Sequence, residues 1–371
     1  MTDVSAIPRA LAGAGQYTWS LIAELGRRVD VQLDLITRRS DADRWRQVAP
    51  RSFVAPVSPD ATPTRIVYGE LALARVIADR FPSAEVFFGP HYTIPTRLGL
   101  PAVVTVHDLT LVDNPEWHEP VKAIYFRAAL RRAAKLARVL VCVSERTAVR
   151  LSERFHPSGK IVVVPHGIDH SRFSPNEPSA GSDEATLERL GVIEPFVLHV
   201  GTVEPRKNLP GLIEAFDAVA ADYPQLSLVL VGSQAWGAQS TQRARASARH
   251  KDRIVSLGYV ADDDVPALLR RAAVVAYPSF AEGFGLPALE ALACGAPLVT
   301  SIDTVMSDVA DDAAILVDPS DIKTIAAGID EALRDAAARQ TRREEGFVIA
   351  SGYTWERSAA GHLAAFAAAG E

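Results

Sequence analysis

The chain has 371 residues, 48% of them hydrophobic, with 39 Lys and Arg against 45 Asp and Glu for a net charge of −6. That length is large for one core and favours two domains. The apolar share excludes extensive disorder, and the acidic balance excludes bulk nucleic-acid binding. Two cysteines in apolar patterns, no apolar run of membrane-spanning length and no signal-peptide core in residues 1–25 point to a reducing, cytoplasmic setting.

Asp3-Val4-Ser5-Ala6-Ile7-Pro8 leads into Gly13-Ala14-Gly15 and then a helix over Gln16 to Arg28. A glycine loop that opens a helix normally follows a buried strand. Here the first strand is either a stub or lost to truncation, and the short lead favours truncation. The Gly13–Gly15 loop reads as a fragment of a dinucleotide fingerprint without its third glycine, or as a simple turn. Val31–Ile36 reads as a strand, 37–65 as polar and irregular, Ile66 to Arg80 as a helix, and Val86–Phe88 and Ala102–Val106 as buried strands. His107-Asp108 follows at a strand's carboxyl end, where open parallel sheets bind ligands; the plainer reading is a histidine bonded to a neighbouring loop. A helix over Val121 to Ala137 carries Lys122, Arg127, Arg131, Arg132 and Lys135 with no acid among them. Such a run is a solvated face or a patch (122–138) for peripheral contact with anionic lipid, at the inner face of the plasma membrane. Val139–Val143 and Ile161–Val164 are strands, and Pro165-His166-Gly167-Ile168-Asp169 is a turn.

Residues 174–186 read as a Pro-, Ser- and acid-rich linker. The expected division is therefore 1–178, 187–352, and a C-terminal helix, 353–371, that docks back on the first domain. Strands at Phe196–Val200, Leu226–Val231, Arg253–Leu257, 273–277, Pro297–Thr300 and Ala314–Val317 alternate with helices at Leu209–Tyr223, Asp263–Arg271 and Asp321–Ala338. The class is α/β: two doubly wound, Rossmann-like parallel-sheet domains facing across a cleft.

The richest stretch is 279–297. Pro278 ends a strand, Gly283 and Gly285 permit a tight turn, Pro287 suits a first helical turn, and Gly295 with Pro297 stops the helix. Backbone amides and a positive dipole end converge there between Glu282 and Glu290. Arg206 and Lys207 occupy a second turn, Gly201-Thr-Val-Glu-Pro-Arg-Lys-Asn208, at the carboxyl end of another strand. Taken alone these cations are an ordinary solvated pair. On the same sheet edge as 282–290 they form a diphosphate site, with Glu290 suited to a ribose diol. No His, Asp or Cys cluster has metal-ligand spacing; His166, Asp169 and His170 read as a turn.

Glu282-Gly-Phe-Gly-Leu-Pro-Ala-Leu-Glu290 resembles the E-x7-E motif of the retaining, nucleotide-sugar-dependent glycosyltransferases of family 4 (glycosyltransferase group 1, GT-B fold). The 201–208 segment, Val106-His107-Asp108, Pro165–Asp169 and Trp355-Glu356 are similar to it too. The form of these motifs resembles GDP-mannose-using mannosyltransferases. The resemblance implies that Arg206 and Lys207 neutralise the donor diphosphate and that Gly283, Phe284, Gly285 and Leu286 contact sugar and phosphate. It implies that Glu282 holds the donor sugar, Glu290 the ribose, and His107 the sugar near its 6-position, with Gly13 and Gly15 approaching the phosphates. The implied catalytic set is Glu282, His107, Arg206 and Lys207. The implied reaction is metal-independent, cofactor-free, retaining transfer of a hexose, mannose from GDP-mannose in the first instance, to a glycan or lipid-linked acceptor. The alternatives are a UDP-glucose-type donor, a GT-B nucleotide-sugar epimerase, and an inactive nucleotide-binding chain. The chain departs from the family at its first strand, which bears on the geometry of the Gly13–Gly15 loop, and at Asp303–Asp308, which replaces a small-residue, Pro-Glu-containing segment and alters either the donor pocket or only a loop.

Overall fold

The computed structural model describes residues 1–9, 11 and 13–371. They form two compact units: Met1–Asp113 with Pro120–Gly167 and Trp355–Glu371, and Asn114–Glu119 with Ile168–Thr354. The division thus falls at Gly167, ahead of the stretch that reads as a linker, and Ser182–Leu190 within and beyond that stretch is helical. No helix among the described residues is long and apolar enough to cross a membrane.

The first unit is built on a parallel sheet of seven strands among the described residues: β1 (Thr2–Asp3), β2 (Asp34–Arg38), β3 (Phe53–Ser58), β4 (Phe87–Gly89), β5 (Ala102–Val106), β6 (Val139–Cys142) and β7 (Lys160–Val163). Their order is β3-β2-β1-β4-β5-β6-β7. The first strand is a two-residue stub, yet it is central: Thr2 pairs with Leu35 on one side and Phe88 on the other. β3 is missed by sequence because Pro56 lies in it, and it survives because it is an edge strand, where a missing N–H breaks no ladder. Its pairing with β2 is irregular around that proline, between Ile36 and Arg38. The helix expected over Ile66–Arg80 starts earlier and is split into Thr62–Leu71 and Leu73–Arg80. The C-terminal helix Trp355–Gly370 belongs to this unit, where Ala359, Ala365 and Ala369 share a core with Leu21, Leu25 and Val103. Its small residues allow the close approach: a Cβ on Gly361 would sit 2.7 Å from Val164.

The second unit has six parallel strands among the described residues: β8 (Phe196–Val200), β9 (Ser227–Val231), β10 (Ile254–Gly258), β11 (Val274–Tyr277), β12 (Leu298–Ser301) and β13 (Ala314–Val317). Their order is β10-β9-β8-β11-β12-β13. The order reverses between β8 and β11, so the loops after these adjacent strands open at the switch point where such sheets bind ligands. Those loops are 201–208 and 278–285. The continuous helix expected over Asp321–Ala338 ends at Arg334. Asp335 then leaves helical geometry and caps Ala336–Ser351 by accepting the Ala338 amide at 2.8 Å.

Candidate functional site

Beyond β8 the chain turns through Gly201, whose φ of 152° and lack of a side chain let Lys207 lie across it. A Cβ there would fall 2.6 Å from the ammonium. Pro205–Lys207 forms a single tight turn. Asn208, at φ 54°, takes the left-handed conformation that asparagine tolerates and caps the helix Leu209–Val219 by accepting the Gly211 amide at 3.3 Å. Its amide nitrogen donates to the Pro319 carbonyl at 2.7 Å, fixing the turn from below. The Phe280 amide donates to the Arg206 carbonyl at 2.8 Å, so the loops after β8 and β11 are bonded together.

This bonding brings Arg206, Lys207 and Glu282 into one cluster. Glu282 is ion-paired with Arg206 through one oxygen and with Lys207 through the other at 3.2 Å. Arg206 also pairs with Glu204 at 2.9 Å and donates to the Ala281 carbonyl at 3.1 Å. Two cations therefore face two carboxylates, and the cluster is charge-balanced. Burial works against the Glu282 charge, but Arg206 and Lys207 outweigh it and hold the carboxyl at about 2. Glu204 was missed in the sequence reading; its place two residues before Arg206 in an extended turn was the available signal.

The loop after β11 enters the helix Leu286–Ala293 through Gly285 at φ 91°. Leu286 thus precedes Pro287 in the first turn, one residue earlier than the sequence indicates. A Cβ on Gly285 would meet Met306 Cγ at 2.5 Å. Met306 comes from the segment in which the chain departs from the family pattern. There Thr304 and Ser307 form a reciprocal cap on the helix Val305–Ala310, so the replacement is an ordered helix start packed under the glycine loop. Gly283, Phe284 and Gly285 are buried and Leu286 is half-buried. At the far end Gly295, at φ 74°, and Ala296 donate to Leu292 and Ala291 at 3.0 Å each, closing the helix where the sequence placed its stop. Glu290 projects from this helix, half-buried and without a hydrogen bond to its carboxylate among the described residues. Burial lifts its carboxyl to about 7, against the pull of Arg172 and with a contribution from Asp262.

His107, Gly13 and Gly15 belong to the first unit. Gly13, at φ 48°, is exposed and opens the helix Ala14–Arg27, while Gly15 is buried beside Leu11 and Ile7. The His107 ring donates from Nε2 to the Pro90 carbonyl at 2.8 Å, the loop bond of the plainer sequence reading, which leaves Nδ1 as the acceptor. Burial depresses its basicity, so the ring is neutral near pH 7. Tyr17 packs edge-on to His107 and stacks on His166 at 4.9 and 4.7 Å between centroids. Its hydroxyl bonds Thr105 at 2.8 Å and His362 of the C-terminal helix at 2.7 Å. His166 is therefore part of an aromatic core of the first unit, and Asp169, in the second, accepts the Ser171 hydroxyl at 2.5 Å. In the basic helix Pro120–Leu136, Arg132 is neutralised by Glu70 at 2.7 Å, while Lys122, Arg131 and Lys135 are exposed together with Val121 and Ile124.

Two family descriptions match the chain, Glycosyltransferase Family 4 over residues 11–172 and Glycosyl transferases group 1 over 188–347. An Escherichia coli O-antigen chain mannosyltransferase B is 32% identical over 276 residues, 73% of this chain and 71% of that protein. The chain belongs to glycosyltransferase family 4. A second member, the Salmonella typhimurium O-antigen chain mannosyltransferase RfbU, is 25% identical and covers 91% of this chain and 93% of its own. Among solved structures, sucrose-phosphate synthase from Thermosynechococcus elongatus superposes with a TM-score of 0.78 at 19% identity, over 99% of this chain and 97% of that one. Anabaena HepE in complex with UDP and glucose superposes at 0.75 and 18%, over 99% and 98%. The fold is GT-B, and this family 4 enzyme is a glycosyltransferase.

Proposed function

We propose that this glycosyltransferase moves a hexose, mannose from GDP-mannose in the first instance, to a glycan or lipid-linked acceptor with retention of configuration and without a metal ion. The observation that carries the reading is the cluster of Arg206 and Lys207 on the switch-point edge, bonded to the loop that opens the helix Leu286–Ala293. Held in place by Glu204 and Glu282, these cations meet a diphosphate without rearranging the backbone. They oppose the negative charge that develops on the leaving nucleoside diphosphate. In the step itself the bond from the anomeric carbon to the phosphate oxygen breaks as the bond to the acceptor oxygen forms on the same face. The acceptor proton passes to the leaving phosphate. Glu282, released from the cations by the incoming diphosphate, accepts hydrogen bonds from the donor sugar. Glu290 does the same for the ribose, and neutral His107 addresses the sugar through Nδ1.

The mannose assignment is supported by the O-antigen mannosyltransferase relatives; the UDP-glucose donor is the second reading. Protection against thermal unfolding separates them, since GDP-mannose raises Tm at concentrations where UDP-glucose does not. Protection by UDP-glucose alone would reverse the assignment. Replacing both Arg206 and Lys207 by alanine weakens GDP by about tenfold or more, as expected for lost charge-assisted hydrogen bonds. Unchanged affinity in calorimetry would contradict the site. Transfer survives excess EDTA; loss that Mn²⁺ restores would overturn the metal-free reading. Peripheral membrane contact through Val121, Lys122, Ile124, Arg131 and Lys135 predicts sedimentation with anionic but not zwitterionic vesicles.

A further inference from the structure

Three adjacent strands of the first unit, β3, β2 and β1, deliver a cluster of arginines from their carboxyl ends. Arg9 follows β1, Arg38 ends β2 with Arg39 and Arg44 just beyond, and Arg65 lies in the helix after β3. Two carboxylates lie among them. Asp41 is buried, with one oxygen bonded to Arg9 at 3.0 Å and the other to Arg38. Asp60 is taken by Ser40, whose amide and hydroxyl both donate to one of its oxygens, at 3.2 and 2.5 Å. A third, Asp3, is buried and accepts the Ser5 amide at 2.9 Å. Five guanidinium groups thus face three carboxylates among the described residues; Asp60 acts on Arg39, Asp41 on Arg44 and Asp3 on Arg65 through space, without a direct ion pair.

Those three arginines make no ion pair among the described residues. Arg44 donates to the Pro8 carbonyl at 3.2 Å and lies 4.3 Å above the Trp19 ring. Arg65 donates to the Asp60 carbonyl and the Thr62 hydroxyl, each at 3.1 Å. Arg39 is exposed. Burial destabilises the charge on Arg44 and Arg65 and Arg38 repels both, while Asp41 acts in the opposite sense on both and Asp3 on Arg65. Surface arginines normally scatter or pair. A group with more cations than carboxylates and no direct ion pair at three of them, held by backbone carbonyls and an aromatic ring at the sheet edge where this fold takes ligands, is prepared for an anion. The Arg38 bond to the Ile7 carbonyl at 2.6 Å and the Arg44 bond to Pro8 tie the cluster to the segment leading to the Gly13 loop.

We propose that Arg39, Arg44 and Arg65, with Arg9 and Arg38 behind them, bind a phosphate or diphosphate group carried by the acceptor substrate. The forked, always-charged guanidinium favours the doubly charged, multi-oxygen phosphate over a single carboxylate. The donor's own diphosphate has its cations in Arg206 and Lys207, so this second anion site serves the other substrate. The proposal rests on the acceptor-transfer reading above.

The test titrates inorganic pyrophosphate calorimetrically into the R206A/K207A protein and into the same protein carrying R39A/R65A as well. The expected result is measurable binding to the first and affinity at least about tenfold weaker in the second, from two lost charge-assisted contacts. Equal affinity, or no binding to R206A/K207A, overturns the proposal. The same titration into the unmutated protein saturated with GDP, with and without R39A/R65A, keeps the result readable if the quadruple variant does not fold. R39K/R65K retains the charge and recovers affinity to within a few-fold; a loss as large as that of alanine refutes the electrostatic argument. Citrate binding as tightly as pyrophosphate refutes the phosphate assignment, and a fall in GDP affinity in R39A/R65A moves the cluster to the donor. Failure of the donor-site reading shows separately, as GDP affinity that R206A/K207A leaves unchanged.

Discussion

Replacing Glu282 by glutamine removes one charge from a balanced cluster while keeping its shape. Moving a carboxyl from 4.5 down to about 2 corresponds to ~3 kcal/mol of added interaction in the ionised form. The Lys207–Glu282 separation of 3.2 Å gives ~5 kcal/mol at an effective dielectric of about 20, which burial of both partners reduces towards the same range. Lys207 and Glu282 have side chains only 8% and 11% exposed, so solvent screens little of this. Because the native carboxyl is held down, its stabilisation is fully present above about 4.5 and is lost as pH falls through about 2. E282Q is therefore less stable than the parent by ~3 kcal/mol at pH 7, and the difference shrinks in acid. The same change removes the carboxylate that Arg206 and Lys207 share, so GDP, which competes with Glu282 for them, binds about tenfold more tightly. Transfer is lost, because the group that accepts from the sugar is gone. Urea unfolding at pH 7 and pH 3, GDP calorimetry and a turnover assay read these three effects. Unchanged or weaker GDP binding, or an acid limb identical to the parent's, would refute the reasoning.

Gly285→Ala forces a left-handed conformation at φ 91° and drives a methyl against Met306 Cγ at 2.5 Å; the two together destabilise by ~3 kcal/mol. A loss in chemical denaturation smaller than about 1 kcal/mol would mean that Met306 moves aside freely. Glu290, raised to about 7 by burial, is protonated in the fold where the unfolded chain is already ionised. Its contribution to stability is full below about 4.5 and is lost as pH rises through about 7. E290Q removes that decline, and it also abolishes the rise in GDP affinity expected between pH 6 and 8 as the carboxylate ionises to accept from the ribose. A parallel pH profile for E290Q and the parent would exclude Glu290 from the nucleotide site.

The α/β class, the two Rossmann-like units and the stop of the helix before Gly295 were legible in the sequence, because β-branched runs, helical spacing and glycine–proline punctuation are local signals. Residues 201–208 and 279–297 were legible for the same reason: each is a turn whose special residues sit next to one another in the chain. Less was legible where a tertiary neighbour decides. β3 contains a proline and is a strand only because it lies at the sheet edge. β1 is two residues long and is central only because β2 and β4 pair with it from both sides. The charge state of the site was also outside the reach of sequence. Nothing in the spacing of Arg206, Lys207 and Glu282 fixes their pairing, which follows from the bond between the loops after β8 and β11. The arginines after β1, β2 and β3 are spread from residue 9 to residue 65 and form no motif in the sequence. Only the adjacency of those three strands gathers them at one edge, where like charges raise one another's energy until an anion relieves it.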